Sequence, residues 1–395
     1  MGHLRNGSIK DKVAIIGVGA TKFGELWDKN QYDLLMESSN EAFKDAGLKN
    51  PQEEIDAIWV GMQYGFTGFS GGTAADAMKI YGKPATHVEN FCASGMDAFR
   101  NACFSVASGK EDIVLACGVE KLMDEGSAGL PGFKEMGHPV LPMPSAPAMF
   151  CFAASRSFKE YGWTKEDLAR VAVKNHDNGF YHPKAHFRKK ITIEDVMEAP
   201  MIADPLGRYD CCAMSDGSAA LVITTPEIAD TFTNHAKDYV TVKANALSVH
   251  TTFPWYKPSY SFVGFPSTQQ AAQAAYNEAG ITAKDVSFAE VHDCFTITEM
   301  VNYQDLGFIP PGTANEWLKN GGPMFDGEKP VNISGGLKCF GHPIGATGCR
   351  MLYEVTRQLQ HRAEGRQVKD PVYGLAHNLG GAFTVASVTI LGHKD

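Results

Sequence analysis

A seven-residue pattern that occurs twice constrains this chain more than any other feature of its sequence. The segment Ala42–Leu48 (AFKDAGL) is echoed by Ala275–Ile281 (AYNEAGI). In both copies a run with helical periodicity ends at a glycine suited to a left-handed cap, and a short apolar run follows, at Ile55–Val60 and at Val286–Val291. The repeat predicts two similar α/β halves.

Further short apolar runs, each bounded by glycine or charge, are predicted strands. They are Val13–Gly17, Ile113–Cys117, Ala219–Thr224 and Thr384–Leu391. Strands that alternate with helices predict a layered α/β architecture. Because a chain of 395 residues exceeds what one simple core needs, we expect two packed halves, residues 1–230 and 231–395.

A change of pattern interrupts the first half. From about residue 121 to 208 the chain is rich in Gly, Pro, Met and aromatic residues, and it then becomes basic at Phe187–Lys190. Its apolar content disfavours disorder, and long insertions in compact domains are usually functional. We predict an inserted loop region that covers the functional site.

Composition and charge exclude several classes of protein. The chain is 44% hydrophobic and 21% charged, which is ordinary for a globular protein. Its formal charge of -9 disfavours binding to nucleic acid or to an anionic membrane. Nine cysteines without regular spacing, no export signal and no apolar stretch of membrane-spanning length predict a soluble cytoplasmic protein.

The segment Asn90–Phe99 contains the first candidate for chemistry. A turn of small residues leads into a helix whose apolar positions are Met96, Phe99, Cys103 and Val106. Cys92 would lie at the helix start, where free amides and the helix dipole stabilise a thiolate. A buried structural cysteine is the alternative, and partners must decide between the two.

Three other segments offer such partners. His342 lies in a glycine-dense loop, Asn332–Gly348, and imidazole can serve as a base or as a donor to an oxyanion. His292 and Cys294 follow the strand of the second copy. The glycines of His377–Gly381 permit close backbone approach and can aim amides at a developing negative charge.

Five ordered motifs together resemble the thiolase superfamily over essentially the whole chain. They are NFCASG at 90–95, SDGSAA at 215–220, HDCF at 292–295, GHPIGATG at 341–348 and NLGG at 378–381. The resemblance is strongest to the subgroup of sterol-carrier-protein-x and archaeal acetoacetyl-CoA thiolases, which have His-Asp-Cys-Phe where ordinary thiolases have Asn-Glu-Ala-Phe. The Cys211-Cys212 pair and the run Lys174–His176 also look like that subgroup.

The resemblance implies a fold and an assembly. A thiolase fold has two similar halves, each with a mixed five-stranded sheet, in a layered αβαβα arrangement. Proteins of this kind are homodimers or dimers of dimers, and relatives with this motif often associate with a small zinc-ribbon and OB-fold (DUF35-like) subunit. Coenzyme A is a co-substrate, and no metal or tightly bound cofactor is expected.

The resemblance also implies the roles of the two active-site cysteines. Cys92 would carry the acyl group, and its proton would pass to His342. Ordinary thiolases take the second cysteine from the carboxy-terminal glycine motif, where this chain has Asn378. In the resembling subgroup Cys294 takes over the transfer of the α-proton, so we interpret Cys339 as a packing residue.

Two oxyanion sites and a substrate surface follow from the same resemblance. His292 and His342 would hold the thioester oxygen of the enolising substrate, and the amides of Cys92 and Gly380 would hold the oxygen of the tetrahedral intermediate. Ser248 resembles the thiolase loop that lies against pantetheine, and Asn378 would also line the substrate site. The aromatic run at 250–258 allows a bulky acyl pocket, although core or dimer packing explains it equally well.

The substrate and some alternatives stay open at this point. Acetoacetyl-CoA is the default substrate, and an aromatic 3-oxoacyl-CoA such as benzoylsuccinyl-CoA is the second. A thiolase-related aldolase or acyltransferase, or a non-catalytic subunit of a thiolase complex, is the alternative function. The basic run Arg188–Lys190 either faces the phosphates of CoA or is a solvated turn. We reject a nucleotide site at Gly17–Gly19 and a metal site formed by His176, His182 and His186.

Overall fold

The computed structural model describes residues 7–65, 69–125, 145–232 and 238–394. Its strands are β1 (Ala14–Ala20), β2 (Ala57–Gly61), β3 (Ala85–Val88), β4 (Ile113–Lys121), β5 (Met201–Ala203), β6 (Leu206–Gly207), β7 (Asp216–Thr224), β8 (Val240–Val249), β9 (Phe288–Val291), β10 (Tyr373–Gly380) and β11 (Val385–Gly392).

The helices alternate with these strands, as the pattern predicts. They are α1 (Gln31–Ala46), α2 (Pro51–Glu54), α3 (Gly71–Met78), α4 (Ser94–Ala107), α5 (Ala146–Tyr161), α6 (Lys165–Gly179), α7 (Ile193–Met197), α8 (Pro226–Ala229), α9 (Pro266–Ala279), α10 (Thr296–Asp305), α11 (Ala314–Lys319), α12 (Gly336–Cys339) and α13 (Ile344–Leu359). None of these described helices is long and apolar enough to cross a membrane.

The repeat is visible in the strand order. The main sheet runs β3-β2-β4-β7-β1-β8-β11-β10-β9. The first strand of each half, β1 or β8, lies at the middle of the sheet. From there both halves continue outward in the same order, with β7, β4 and β2 on one side and β11, β10 and β9 on the other. The halves join where β1 pairs antiparallel with β8, at Ala14 with Thr241 and Ile15 with Val240. In the fifth position of the second half, Val331 forms a single parallel bridge beside β9. The predicted mixed α/β layers are confirmed.

The helices that contain the repeated motif end alike. Helix α1 ends at Gly47 with φ 75° and α9 at Gly280 with φ 72°, both in the left-handed region that glycine adopts without strain. Helix α1 packs on β1 and β7, and α9 packs on the equivalent strands β8 and β11. The sequence repeat therefore corresponds to a structural repeat.

The predicted inserted region is largely helical where it is described, so its description as a loop was wrong. Helices α5, α6 and α7 lie within it, and its residues 126–144 fall outside the described part. Helix α6 starts at a capping box in which Thr164 and Asp167 accept each other's amide hydrogens. The Gly, Pro and aromatic content obscured this local signal. Helix α6 packs against α10 and α12, beside the predicted catalytic segments.

A close crossing of backbones lies at the centre of the fold. Helices α4 and α13 contact each other, and α13 contacts β4 and β7 of one half and β10 of the other. A Cβ atom added to Gly95 would lie 2.2 Å from the carbonyl oxygen of Gly345, and one added to Gly118 would lie 2.0 Å from it. These glycines permit an approach that any side chain would block.

Substitution of Gly345 by alanine should destabilise the protein strongly. The new Cβ would lie 2.5 Å from the carbonyl oxygen of Gly61 and 2.6 Å from that of Val119, and neither backbone atom can move aside. We expect a loss of about 3 kcal/mol, typical of an overpacked core, measured as a lower melting temperature.

Gly72→Ala is the matched control for this prediction. Gly72 is exposed in α3, and its added Cβ would meet only the Ser70 hydroxyl oxygen at 3.4 Å. Its melting temperature should be unchanged or slightly higher, because alanine favours the helix by up to about 1 kcal/mol. Equal melting temperatures for the two variants would show that the central crossing tolerates a side chain.

Candidate active site

The turn before α4 presents Cys92. Phe91 has φ 51°, in the left-handed region, and its carbonyl oxygen accepts a hydrogen bond from the amide of Ser94 at 3.0 Å. The Ser94 hydroxyl oxygen accepts the amide hydrogen of Asn90 at 2.9 Å. Two backbone amides, those of Gly381 and of Cys92 itself, donate to the Cys92 sulfur. The turn is therefore held rigidly, with the sulfur facing two donors.

Burial dominates the electrostatics at Cys92. Together with smaller contributions from the carboxylates of Glu120 and Glu89, it raises the pKa of the thiol to about 12. The two amides lower it, but by less than burial raises it. The amides thus stabilise the thiolate in the predicted direction, but burial outweighs them, because desolvation disfavours the charged form. Cys92 rests as a thiol and needs a base.

His342 is positioned to be that base. Its Nδ1 lies 2.7 Å from the Thr347 hydroxyl, and that hydroxyl donates its only hydrogen to the carbonyl oxygen of Pro343 at 3.0 Å. The hydroxyl must therefore accept from Nδ1, which places the ring hydrogen on Nδ1 and leaves a lone pair on Nε2. Nε2 is buried and has no partner among the described residues. Burial lowers the pKa of His342 to about 3, so the ring is neutral.

His292 has the opposite tautomer. The Nδ2 amino group of Asn378, which can only donate, lies 3.0 Å from His292 Nδ1. Nδ1 therefore accepts and Nε2 carries the hydrogen. Burial lowers the pKa of His292 well below its usual value, and the nearby His342 lowers it further. One imidazole is thus a base and its neighbour, with ring centroids 5.2 Å apart, is a donor.

Three of the predicted catalytic side chains converge. The Cys92 sulfur and one ring nitrogen from each of His292 and His342 lie within 4.8 Å of one another. This triangle places a nucleophile, a base and an oxyanion donor around one point. A cysteine and two histidines could also hold zinc, so the absence of a metal stays a prediction.

Cys294 lies next to this triangle, just before α10. Its sulfur is 3.7 Å from the Thr298 hydroxyl, and its carbonyl oxygen accepts the amide hydrogen of Cys212 at 2.8 Å. Burial raises the pKa of its thiol well above the usual value, and the thiols of Cys212 and Cys92 raise it further.

Two predicted site residues, Ser248 and Gly380, lie outside the triangle of Cys92, His292 and His342. Ser248 lies near the end of β8 and donates to the Gln270 side chain at 2.9 Å, with no described contact to the triangle. Gly380 ends β10 and packs against the turn at Asn90, with 2.7 Å between its ideal Cβ position and the Asn90 carbonyl oxygen. The amide that reaches the Cys92 sulfur belongs to the next residue, Gly381.

Sequence reasoning missed Glu120. Its buried carboxylate accepts amide hydrogens from Gln63 at 3.1 Å, Tyr64 at 2.9 Å and Gly345 at 2.9 Å. The last of these bonds satisfies a free amide in the first turn of α13 and so fixes the helix that follows His342. A charged residue near the end of the apolar strand β4 was the signal that could have identified it.

Two of the histidines rejected as a metal site, and two of the basic residues considered for the CoA phosphates, each have a partner of their own. His182 contacts Glu354 at 3.2 Å and His186 contacts Ser215 at 2.8 Å. Arg188 donates to the Phe180 carbonyl at 3.2 Å, and Lys190 pairs with Asp177 at 3.6 Å.

With this geometry established, similarity to known proteins identifies the family. The Thiolase, N-terminal domain family matches residues 13–227, and the Thiolase C-terminal domain-like family matches residues 258–393. The chain belongs to the thiolase family. It is 38% identical to an acetyl-CoA acetyltransferase of Methanothermobacter thermautotrophicus over 96% of this chain and 98% of that protein. This thiolase is therefore an enzyme of the acyltransferase class.

Other relatives support the subgroup and the fold. Sterol carrier protein 2 of Gallus gallus is 31% identical over 96% of this chain and 72% of that protein. Among solved structures, the Ltp2-ChsH2(DUF35) aldolase has a TM-score of 0.83 at 24% identity, covering 98% of this thiolase and 99% of that chain. The Acat5 thiolase of Ascaris suum in complex with coenzyme A has a TM-score of 0.70 at 18% identity, covering 97% and 100%.

The alkylation of Cys92 should depend steeply on pH. Because burial holds the pKa of its thiol near 12, the thiolate fraction rises about tenfold per pH unit over the range from about pH 6 to 9. Mass spectrometry of the Cys92 peptide after treatment with iodoacetamide measures the rate. A pH-independent plateau in this range would instead reveal a resting thiolate paired with imidazolium.

Removal of the Thr347 hydroxyl should disable the base. In Thr347→Val the Nδ1 hydrogen of His342 loses its acceptor. The tautomer with the hydrogen on Nδ1 and the lone pair on Nε2 is then no longer favoured. We expect the acylation rate of Cys92 to fall about a hundredfold, within the range for loss of a general base. Thr347→Ser, which keeps the hydroxyl, is the control and should stay within a few-fold of wild type. Equal rates for the two variants would exclude this role.

Proposed function

We propose that this enzyme is a 3-oxoacyl-CoA thiolase that cleaves its substrate reversibly with CoA through an acyl-Cys92 intermediate. The observation that carries the proposal is the triangle of Cys92, His292 and His342 within 4.8 Å, with a free lone pair on His342. Nucleophile, base and oxyanion donor are the groups that a thioester Claisen cleavage requires. Coenzyme A is the co-substrate, and the proposed chemistry uses no tightly bound cofactor.

The first half-reaction follows from the tautomers. His342 Nε2 takes the proton of Cys92, and the thiolate attacks the 3-keto carbon. The amides of Cys92 and Gly381 stabilise the resulting oxyanion, a contribution of about 3 kcal/mol for each donor. Collapse breaks the carbon–carbon bond, and the electron pair leaves as the enolate of the CoA thioester.

The enolate then needs a donor for its oxygen and a proton for its carbon. His292 Nε2–H and the newly protonated His342 donate to the oxygen. Cys294 gives its proton to the carbon, and this releases acetyl-CoA, or its substituted equivalent, while the shortened acyl group stays on Cys92. In the second half-reaction the thiol of CoA gives its proton to the Cys294 thiolate and attacks the acyl-Cys92 thioester. The shortened acyl-CoA leaves, and the Cys92 thiolate regains its proton from His342.

The size of the acyl group is the finer question. The 38%-identical archaeal relative is named an acetyl-CoA acetyltransferase, which supports acetoacetyl-CoA as the substrate. An aromatic cluster adjoins Cys294: its neighbour Phe295 packs on Phe150 at 4.6 Å between ring centroids, and Phe150 packs on Phe383 at 4.6 Å. An aromatic 3-oxoacyl-CoA such as benzoylsuccinyl-CoA is therefore the second candidate substrate.

A thiolase-related aldolase is the rival activity, and a solved aldolase shares the fold. Aldolase relatives replace the active-site cysteines, commonly with tyrosine, whereas this chain keeps Cys92 and Cys294 beside two histidines. The same cysteines disfavour a non-catalytic subunit. That aldolase was solved with a DUF35 partner, which supports a small DUF35-like subunit for this enzyme too. A homodimer or dimer of dimers in the cytoplasm completes the proposal.

Intact-protein mass after mixing with acyl donors tests the roles of the cysteines. Wild type should gain an acyl group from 3-oxoacyl-CoA substrates without free CoA, and Cys92→Ala should not. Cys294→Ala should still be acylated by a plain acyl-CoA, because that transfer needs no carbon proton, but it should cleave 3-oxoacyl-CoA at least about a hundredfold more slowly.

Cys339→Ala is the control for these variants. The Cys339 thiol is buried and donates to the Phe187 carbonyl, so its removal should leave both acylation reactions close to wild type. An adduct on Cys92→Ala, or no adduct on wild type with any thioester, would refute the proposed mechanism.

A further inference from the structure

A cavity of about 410 Å³ opens beside Cys211 and Cys212. Its lining includes Cys212 and Lys338 from the interior and the exposed Lys189 and Arg208 at the surface. Cys212 connects the lining of the cavity to the Cys294 segment, because its amide donates to the carbonyl oxygen of Cys294 at 2.8 Å. The cavity therefore lies one residue away from Cys294, and its size is within the range of small-molecule pockets.

Lys338 is the unusual member of this lining. Its side chain is only 2% exposed, and its Nζ has no hydrogen-bond partner among the described residues. Burying an ammonium without an anion costs several kcal/mol, so such groups persist where something compensates them. Burial accordingly lowers the pKa of Lys338.

The acid beside Lys338 is already engaged. The carboxylate of Asp293 accepts hydrogen bonds from the amides of Leu337 at 2.6 Å and Lys338 at 3.2 Å and from the side chain of Asn175 at 2.8 Å. It forms no ion pair with the Lys338 ammonium among the described contacts. The other electrostatic neighbours of Lys338 are the thiols of Cys211, Cys212 and Cys294, whose raised pKa values keep them protonated, and the basic side chains of Lys165 and His176. None of these groups supplies a resting anion to Lys338.

We propose that Lys338 binds a carboxylate on the acyl group of the substrate, so that the preferred substrates are 3-oxoacyl-CoA thioesters with a second acid group. This inference rests on the proposed thiolase function and specifies its substrate class. The pantetheine arm separates the phosphates of CoA from its sulfur, so an anion beside Cys212 and Cys294 belongs to the acyl part. Lys189 and Arg208 add positive potential at the mouth of the cavity.

Matched pairs of thioesters test this assignment. One pair is 3-oxoadipyl-CoA and 3-oxohexanoyl-CoA, which differ in a carboxylate for a methyl group, and a branched pair is benzoylsuccinyl-CoA and its methyl ester. For at least one pair, wild type should prefer the acid by about tenfold or more in kcat/KM, as expected for a charge-assisted hydrogen bond. In Lys338→Met that preference should fall to near one, and Lys338→Arg should retain part of it.

Lys329→Met is the control, because Lys329 is a second buried lysine whose Nζ contacts the Val286 carbonyl, and Lys329 does not line this cavity. Its preference should match wild type. If wild type cleaves both members of each pair equally, Lys338 binds no acyl carboxylate while the thiolase proposal stands. If wild type cleaves none of them, nor acetoacetyl-CoA, the thiolase proposal itself fails.

Two further outcomes have defined meanings. If Lys338→Met raises KM equally for acids and neutral esters of CoA but not for pantetheine thioesters, the bound anion is a phosphate of CoA and the carboxylate assignment is overturned. If Lys338→Met does not fold, as judged by its melting curve, the wild-type preference within each pair decides alone.

Discussion

The contact of three backbones at the carbonyl oxygen of Gly345 is the constraint on which the active site depends. Gly95 in α4 and Gly118 in β4 both approach that oxygen more closely than a Cβ atom would allow. Helix α4 begins two residues after Cys92, and α13 begins two residues after His342. Because interiors are packed at crystal-like density, this crossing determines the separation of nucleophile and base.

The burial of the site from water determines the resting protonation states of its catalytic groups. Burial raises the pKa of the Cys92 thiol and lowers that of His342, so both groups rest neutral, and the charged pair forms only as the substrate reacts. The direction of proton transfer depends on which ring nitrogen is free. Thr347 and Asn378 determine this through single hydrogen bonds, although neither side chain needs to touch the reacting bond.

Local patterns in the sequence predicted most of the fold. The apolar runs correspond to β1, β2, β4, β7, β9 and β11, with boundaries shifted by up to four residues, and the helix after Cys92 buries its four predicted apolar positions. Helix α5 was missed because its proline and aromatic residues mask helical periodicity, and α6 and α7 were missed because the Gly- and Pro-rich character of the surrounding region was extended to them.

For the site, sequence motifs identified Cys92, His292 and His342, whose reactive atoms lie within 4.8 Å of one another, and they identified Cys294, whose role stays a prediction. The local amides act on Cys92 as predicted, but the net rise of its pKa could not be predicted, because desolvation depends on residues far apart in the chain that only the fold assembles. The parts played by Glu120 and Lys338 have the same origin. Each lies in an apolar environment made by another element, and a linear pattern does not reveal it.

The duplication explains why the two reacting groups face each other. In the first half the chain passes from β3 through the Cys92 turn into α4 and then β4. In the second half it passes from the bridge at Val331 through the His342 loop into α13 and then β10. Cys92 and His342 therefore occupy equivalent positions in the two copies. Because α4 and α13 pack against each other, the repeat that orders the sheet also brings the nucleophile to its base.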